Sequence, residues 1–221
     1  FTPSLATCSF QAFSTVAGQV PLPRRCTLGA WYSRYWPYTS KEYRAIVKEY
    51  EDHGFPLDII VMDMDWHHNV VSKLPEHLRP LKKTDGQIWT GYTWDRDILP
   101  DAEKLLEWFH SQGLSVTLND HPADGVQPHE AMYKAFMKDM GAKPAKSTSE
   151  PDATIPFDAG SREYLETFYK HTHANLEKDG VDFWWLDWQQ YKSTLSIPGL
   201  NNLEWLNYYY YLRAREGGKR G

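Results

Sequence analysis

Cysteine is scarce: Cys8 and Cys26 are the only two in 221 residues. Two thiols make neither a metal-binding spacing nor a disulfide framework, which excludes zinc-ribbon and disulfide-stapled classes. No stretch has the roughly 20 consecutive apolar residues needed to span a bilayer. Lys and Arg are scattered through a chain of net charge −5, so neither nucleic acid nor an anionic membrane is an expected partner. There is no phosphate-cradling P-loop, no dinucleotide glycine fingerprint and no G-x-S-x-G elbow. HExxH is also missing. His67 and His68 are neighbours that would point to opposite sides of a strand, and His171 and His173 would not share a helix face. Neither a catalytic metal nor a cofactor is expected. The chain opens on Phe1, and FTPSLATCSF has no basic segment followed by a long apolar core. It reads as a cut end rather than a secretory signal.

Aromatic residues, by contrast, are abundant: ten Trp and fourteen Tyr. One such side chain is ordinarily core. Many together also suit ligands that combine apolar faces with hydroxyls, as sugars do.

One unit recurs: an amphipathic helix, a Gly, then a short apolar run ending in Asp. The copies are Lys41 to His53 then Leu57 to Asp63, Asp101 to Gln112 then Leu114 to Asp120, and Arg162 to Asp179 then Val181 to Asp187. Ala102, Leu105, Leu106 and Phe109 form an i, i+3, i+4, i+7 stripe, as do Tyr164, Leu165, Phe168 and Tyr169 with similar spacing. Thr39 with Glu42 reads as a capping box, and Ser161 as an N-cap. The Gly after each helix fits a left-handed C-terminal residue. Thr27 to Tyr32 is expected to be the first strand. Asn201 to Glu216 is expected to be a last helix, with Leu203, Leu206, Tyr210 and Leu212 on its apolar side. Residues 67–99, with Gly86 to Gly91, read as a loop excursion that carries a small hairpin. Residues 141–160 read as a surface loop.

Strands alternating with helices predict a right-handed parallel α/β fold. The expected class is an incomplete (β/α)8 TIM barrel: roughly the first four βα units, with the excursion after strand 2. Residues 1–26 would be a lead-in segment and 27–221 the N-terminal half of the catalytic barrel, since whole barrels need about 250 residues.

In such a barrel the chemistry sits where strands end. The repeat sends Asp63, Asp65, Asp120 and Asp187 there, with Trp66, His67, His121 and Trp188. A single Asp after a strand is often only a turn residue or cap. Several delivered to one rim favour an active site, and carboxylates among aromatics suit glycosidic-bond cleavage.

Five ordered motifs carry a resemblance: Leu28 to Tyr38 (LGAWYSRYWPY), Phe55 to His67, Gly91 to Asp101, Leu118 to Glu130 (LNDHPADGVQPHE) and Asp179 to Gln190 (DGVDFWWLDWQQ). From about residue 20 onward the chain resembles glycoside hydrolase family 31, a family of retaining α-glucosidase and α-galactosidase type. The resemblance implies that Asp187 is the nucleophile and that Asp63 binds hydroxyls of the sugar at the cleavage point. Asp65 and Trp66 would line the same subsite. The whole expected sugar-binding set is Asp63, Asp65, Trp66, Asp120, His121, Trp185, Trp188 and Trp31.

The commoner family motif W-x-D-M-N-E is replaced here by Trp185-Leu186-Asp187-Trp188-Gln189-Gln190, a departure that bears on sugar specificity. The family's general acid/base lies beyond residue 221, so no residue of this chain takes that role. The implied activity is hydrolysis of terminal α-linked sugars by double displacement, of α-glucosidase, α-galactosidase or α-N-acetylgalactosaminidase type. The substrate would be a carbohydrate, and the remainder of the parent polypeptide would be needed to close the barrel. The alternative is a non-catalytic sugar-binding or structural fragment lacking its acid.

Overall fold

A computed structural model describes residues 5–18, 21–69, 88–143 and 154–216. Four strands, β1 (Trp31–Arg34), β2 (Ile59–Met62), β3 (Ser115–Asp120) and β4 (Phe183–Leu186), form one parallel sheet in chain order. Around them run α1 (Leu5–Ala17), α2 (Ser40–Asp52), α3 (Ala102–Ser111), α4 (Tyr133–Asp139), α5 (Arg162–His171), α6 (His173–Asp179) and α7 (Asn202–Glu216). Each successive strand lies beside its predecessor after a helical crossover, the arrangement of consecutive barrel units. No described helix is long and apolar enough to cross a membrane.

The local signals act as expected in most places. Thr39 and Glu42 close a reciprocal capping box on α2, and Ser161 Oγ accepts from Tyr164 N–H at 3.2 Å. Gly54, Gly113 and Gly180 all take positive φ after their helices.

Side chains alternate across each strand. Ile60, Met62, Val116 and Leu118 pack with Tyr43, Leu105, Leu106, Phe109 and Leu176 from α2, α3 and α6, with Tyr32 and Trp184 alongside. That face is the helix side. Ile59, Val61, Thr117, Asn119, Phe183 and Trp185 occupy the opposite, inner face. Burying each large apolar side chain stabilises by about 1.5–3 kcal/mol, so the helix-side core dominates the cohesion of the unit. A second cluster of Tyr92, Val126, Tyr133, Phe136, Phe157, Tyr164, Phe168 and Leu206 ties α4, α5 and α7 together.

Several sequence expectations are corrected. The first strand begins at Trp31, because Arg25–Leu28 turns as a 3-10 helix and Ala30 N–H is held by Asp58 Oδ2 at 2.8 Å. The third helix is broken at Thr172, whose ψ of −81° leaves the helical region. Of the stripe expected on α7, Leu206 is fully buried but Leu203 is 52% exposed. Of the expected surface loop 141–160, residues 144–153 lie outside the described residues, and the described part is not wholly on the surface: Ile155 bridges Val126, and Phe157 is buried. Helices α1 and α4 were not anticipated. The hairpin expectation rests partly on Gly86 and Gln87, which lie outside the described residues; the described part pairs His67 with Trp94 in an antiparallel bridge.

Candidate active site

The carboxyl ends of β2, β3 and β4 converge. Asp63 leaves β2, and its Oδ1 accepts from Met64 N–H at 2.8 Å, capping the 3-10 turn Met64–Trp66. The side chain is half-buried. Loss of solvation pushes its pKa above the usual carboxylate range, and the negative charge of Asp187 pushes the same way. Asp65 accepts from the Asn69 side-chain amide. Trp66 is buried in the core rather than offered to a ligand: its Nε1–H donates to Asn119 O at 2.8 Å, and its ring packs edge-on against Trp94.

Alternation sorts the end of β3. Asn119 faces the inner side and donates from Nδ2 to Asp187 Oδ2 at 2.9 Å. His121 brings Nε2 to 3.3 Å from the same oxygen, although not in line for a hydrogen bond. Burial lowers the pKa of His121, while the surrounding carboxylates Asp187, Asp120 and Asp63 oppose that shift. Asp120 points the other way. Its carboxylate is buried in the helix layer, where Oδ2 accepts from Tyr210 Oη and lies 2.8 Å from His173 Nε2. Asp120 thus stands apart from the pair it was grouped with: its period-2 phase aims it away from Asp63 and Asp187.

Asp187 follows β4. Oδ1 accepts from Trp188 N–H at 2.7 Å, Oδ2 takes the Asn119 bond, and the side chain keeps 23% exposure. The carboxylate is thus oriented on both oxygens yet reachable. Trp188 is 71% exposed, and its ring meets Trp89 edge-on at 5.4 Å, with Trp89 in turn 5.3 Å from His121. Gln190 is buried and braces the turn by donating to Asp187 O. Trp185 lies on the inner face beside Asn119 in register, one layer below Asp187. Trp31 stands apart from these carboxylates. It pairs in register with Ile59 at the amino end of β2 and packs on Phe183 at 5.6 Å. A cavity of about 450 Å³ runs along the edge of β4, between that strand and α7, lined by Trp31, Phe183, Trp185, Tyr210 and Tyr211. It contains neither Asp63 nor Asp187, so it belongs to the edge of the sheet and not to the carboxylate cluster.

Residues 20–215 match the family model described as "Glycosyl hydrolases family 31 TIM-barrel domain". The chain belongs to glycoside hydrolase family 31. It is 21% identical over 187 residues to an α-xylosidase of Saccharolobus solfataricus, covering 85% of this chain and 22% of that protein. To α-glucosidase 2 of Bacillus thermoamyloliquefaciens it is 21% identical over 193 residues, covering 87% and 21%. Among solved structures, a family 31 α-xylosidase from a soil metagenome, complexed with xylose, superposes with a TM-score of 0.62 at 17% identity, over 90% of this chain and 29% of that one. A cycloalternan-degrading enzyme from Trueperella pyogenes gives 0.62 at 15% identity, over 95% and 32%. The chain thus spans about a fifth of the length of the curated relatives it matches.

Within this family 31 barrel segment, sequence reasoning missed Asn119 and Trp89. Asn119 was findable: it sits two residues before His121, hence on the same face. Trp89 carried no local signal, because only the tertiary path of its loop brings it to Trp188.

Proposed function

We propose that this chain supplies the nucleophile and part of the sugar-binding surface of a retaining α-glycosidase. The observation that supports this most is the treatment of Asp187: a carboxylate at a strand end, oriented on both oxygens by Asn119 and Trp188 N–H, and still open to solvent. A nucleophile needs that combination of fixed direction and access. In the first displacement an Asp187 oxygen bonds to the anomeric carbon as the glycosidic C–O bond breaks. A general acid from outside residues 1–221 gives its proton to the departing oxygen. In the second, water attacks the same carbon, its proton returns to that group, and Asp187 leaves as carboxylate.

Asp63 is the natural partner for sugar hydroxyls. Its raised pKa records poor solvation, which hydroxyl donors from a bound sugar would relieve. Asp65 would support it from the adjoining turn, and His121, Trp185, Trp188 and Trp89 would supply ring edges and faces. The sugar is of the α-glucosyl, α-xylosyl, α-galactosyl or α-N-acetylgalactosaminyl class. A panel of nitrophenyl α-glycosides assayed on the complete polypeptide selects among them. Asp187→Ala should lower kcat by about four orders of magnitude or more, with little change in Tm. Activity surviving that substitution would refute the assignment.

A further inference from the structure

Asn119, Asp120 and His121 are consecutive, and all three engage Asp187. The Asn119 amide donates to Asp187 Oδ2, Asp120 O accepts from Asp187 N–H at 3.0 Å, and the His121 ring adjoins Oδ2. The middle residue turns its side chain away from this clasp into a buried network. Thr172 Oγ1 donates its one proton to Phe168 O at 2.6 Å, so toward His173 Nδ1, 2.7 Å away, it can only accept. Nδ1 therefore carries hydrogen. His173 Nε2 then lies 2.8 Å from Asp120 Oδ2, a separation that requires a proton between them. Tyr210 Oη completes a triangle, 2.8 Å from each. Asp120 and His173 are 3% and 0% exposed. The break between α5 and α6 at Thr172 supplies the hydroxyl that fixes the ring, and α7 supplies Tyr210.

From this juxtaposition we infer that Asp120, His173 and Tyr210 form a positioning device for Asp187, bolting the clasp residue of β3 to the helix layer. The inference rests on Asp187 being the nucleophile. A carboxylate held by charge-assisted bonds on its far side cannot drift along the strand direction, and its own carbonyl fixes the Asp187 backbone. None of the three side chains needs to touch sugar.

The test uses the complete enzyme with Tyr210→Phe and Asp120→Asn, each first shown to be folded by near-ultraviolet circular dichroism. Tyr210→Phe removes a single hydroxyl and keeps the packing, so it stays informative if Asp120→Asn does not fold. Positioning predicts that kcat falls by about 10- to 100-fold while KM stays within about twofold. The first-order rate constant for inactivation by the 5-fluoro-α-glycosyl fluoride of the preferred sugar should fall in parallel. Unchanged kcat and labelling rate in Tyr210→Phe would overturn the inference, as would a rise in KM alone, which marks direct sugar contact. Mapping the labelled peptide separates the two claims. Label on Asp187 at the wild-type rate in both variants sinks only the positioning role, whereas label on another residue sinks the nucleophile assignment.

Discussion

His67 shows how much a single buried side chain can set. It is 2% exposed beneath Gly91, where an added Cβ would meet its Nδ1 at 2.2 Å. Burial pulls its pKa down from 6.5 to about 4; Glu130 resists the shift, and His129 and His121 add to it. The unfolded chain takes up this proton near pH 6.5 and the folded chain only near 4. Between those values the unfolded state binds more protons, so stability falls as pH falls. The total is on the order of 3 kcal/mol, level again below about pH 4. Burial works to raise the pKa of Glu130, but His129 and Thr93 bring it below the usual carboxylate value, so its contribution is also lost as pH falls. Thermal melts from pH 7 to 4.5 should show the decline, and His67→Asn should flatten it. A Tm independent of pH over that range would contradict the assignment of His67 as a buried neutral ring.

At the scale of elements, the turn after β3 depends on one residue. Gly125 has φ of 71°, and a Cβ there would stand 1.9 Å from Ile155 O, on backbone that cannot step aside. That contact is part of the Val126–Ile155 bridge. Gly125→Ala therefore combines left-handed strain with a backbone clash, costing about 3 kcal/mol or more and lowering Tm by roughly 6–12 °C. Differential scanning calorimetry checks it; a loss under 1 °C would mean that the turn is free to rearrange.

The repeat itself was legible in the sequence, since helix caps, closing glycines and apolar runs are local signals. The break at Thr172 was not, because the stripe of Tyr164, Leu165, Phe168 and Tyr169 runs straight up to it, and the break serves a contact with Asp120 on another element. The direction of the Asp120 side chain is not legible for a related reason. Strand ends are easy to locate from sequence, but the phase of alternation at the last residue decides whether a side chain meets substrate or helix. The surroundings of Trp31 and Trp66 are not legible because aromatic content does not say which end or face of the sheet each ring occupies.

For the whole molecule, β1 and β4 are the outer strands of the four-stranded sheet. The β4 edge carries the apolar cavity of about 450 Å³, and Trp31 beside it is 42% exposed. Edges that no described strand pairs, with apolar surface beside them, invite association. The 221-residue chain alone should bind an apolar reporter dye and self-associate. It should hydrolyse no nitrophenyl α-glycoside, because the protonating group for the leaving oxygen is not among its assigned residues. Turnover by the purified chain that disappears in Asp187→Ala would overturn this.

Everything proposed for this site turns on Asp187 making the covalent bond to sugar. The most direct measurement is to trap the intermediate on the complete polypeptide with a 5-fluoro-α-glycosyl fluoride, digest it and locate the added mass by tandem mass spectrometry. One glycosyl group is expected on the peptide spanning Phe183–Gln190, esterified at Asp187. Sugar found on Asp63, Asp65 or any residue outside this chain, or turnover with inversion at the anomeric carbon and no trapped species, would contradict it.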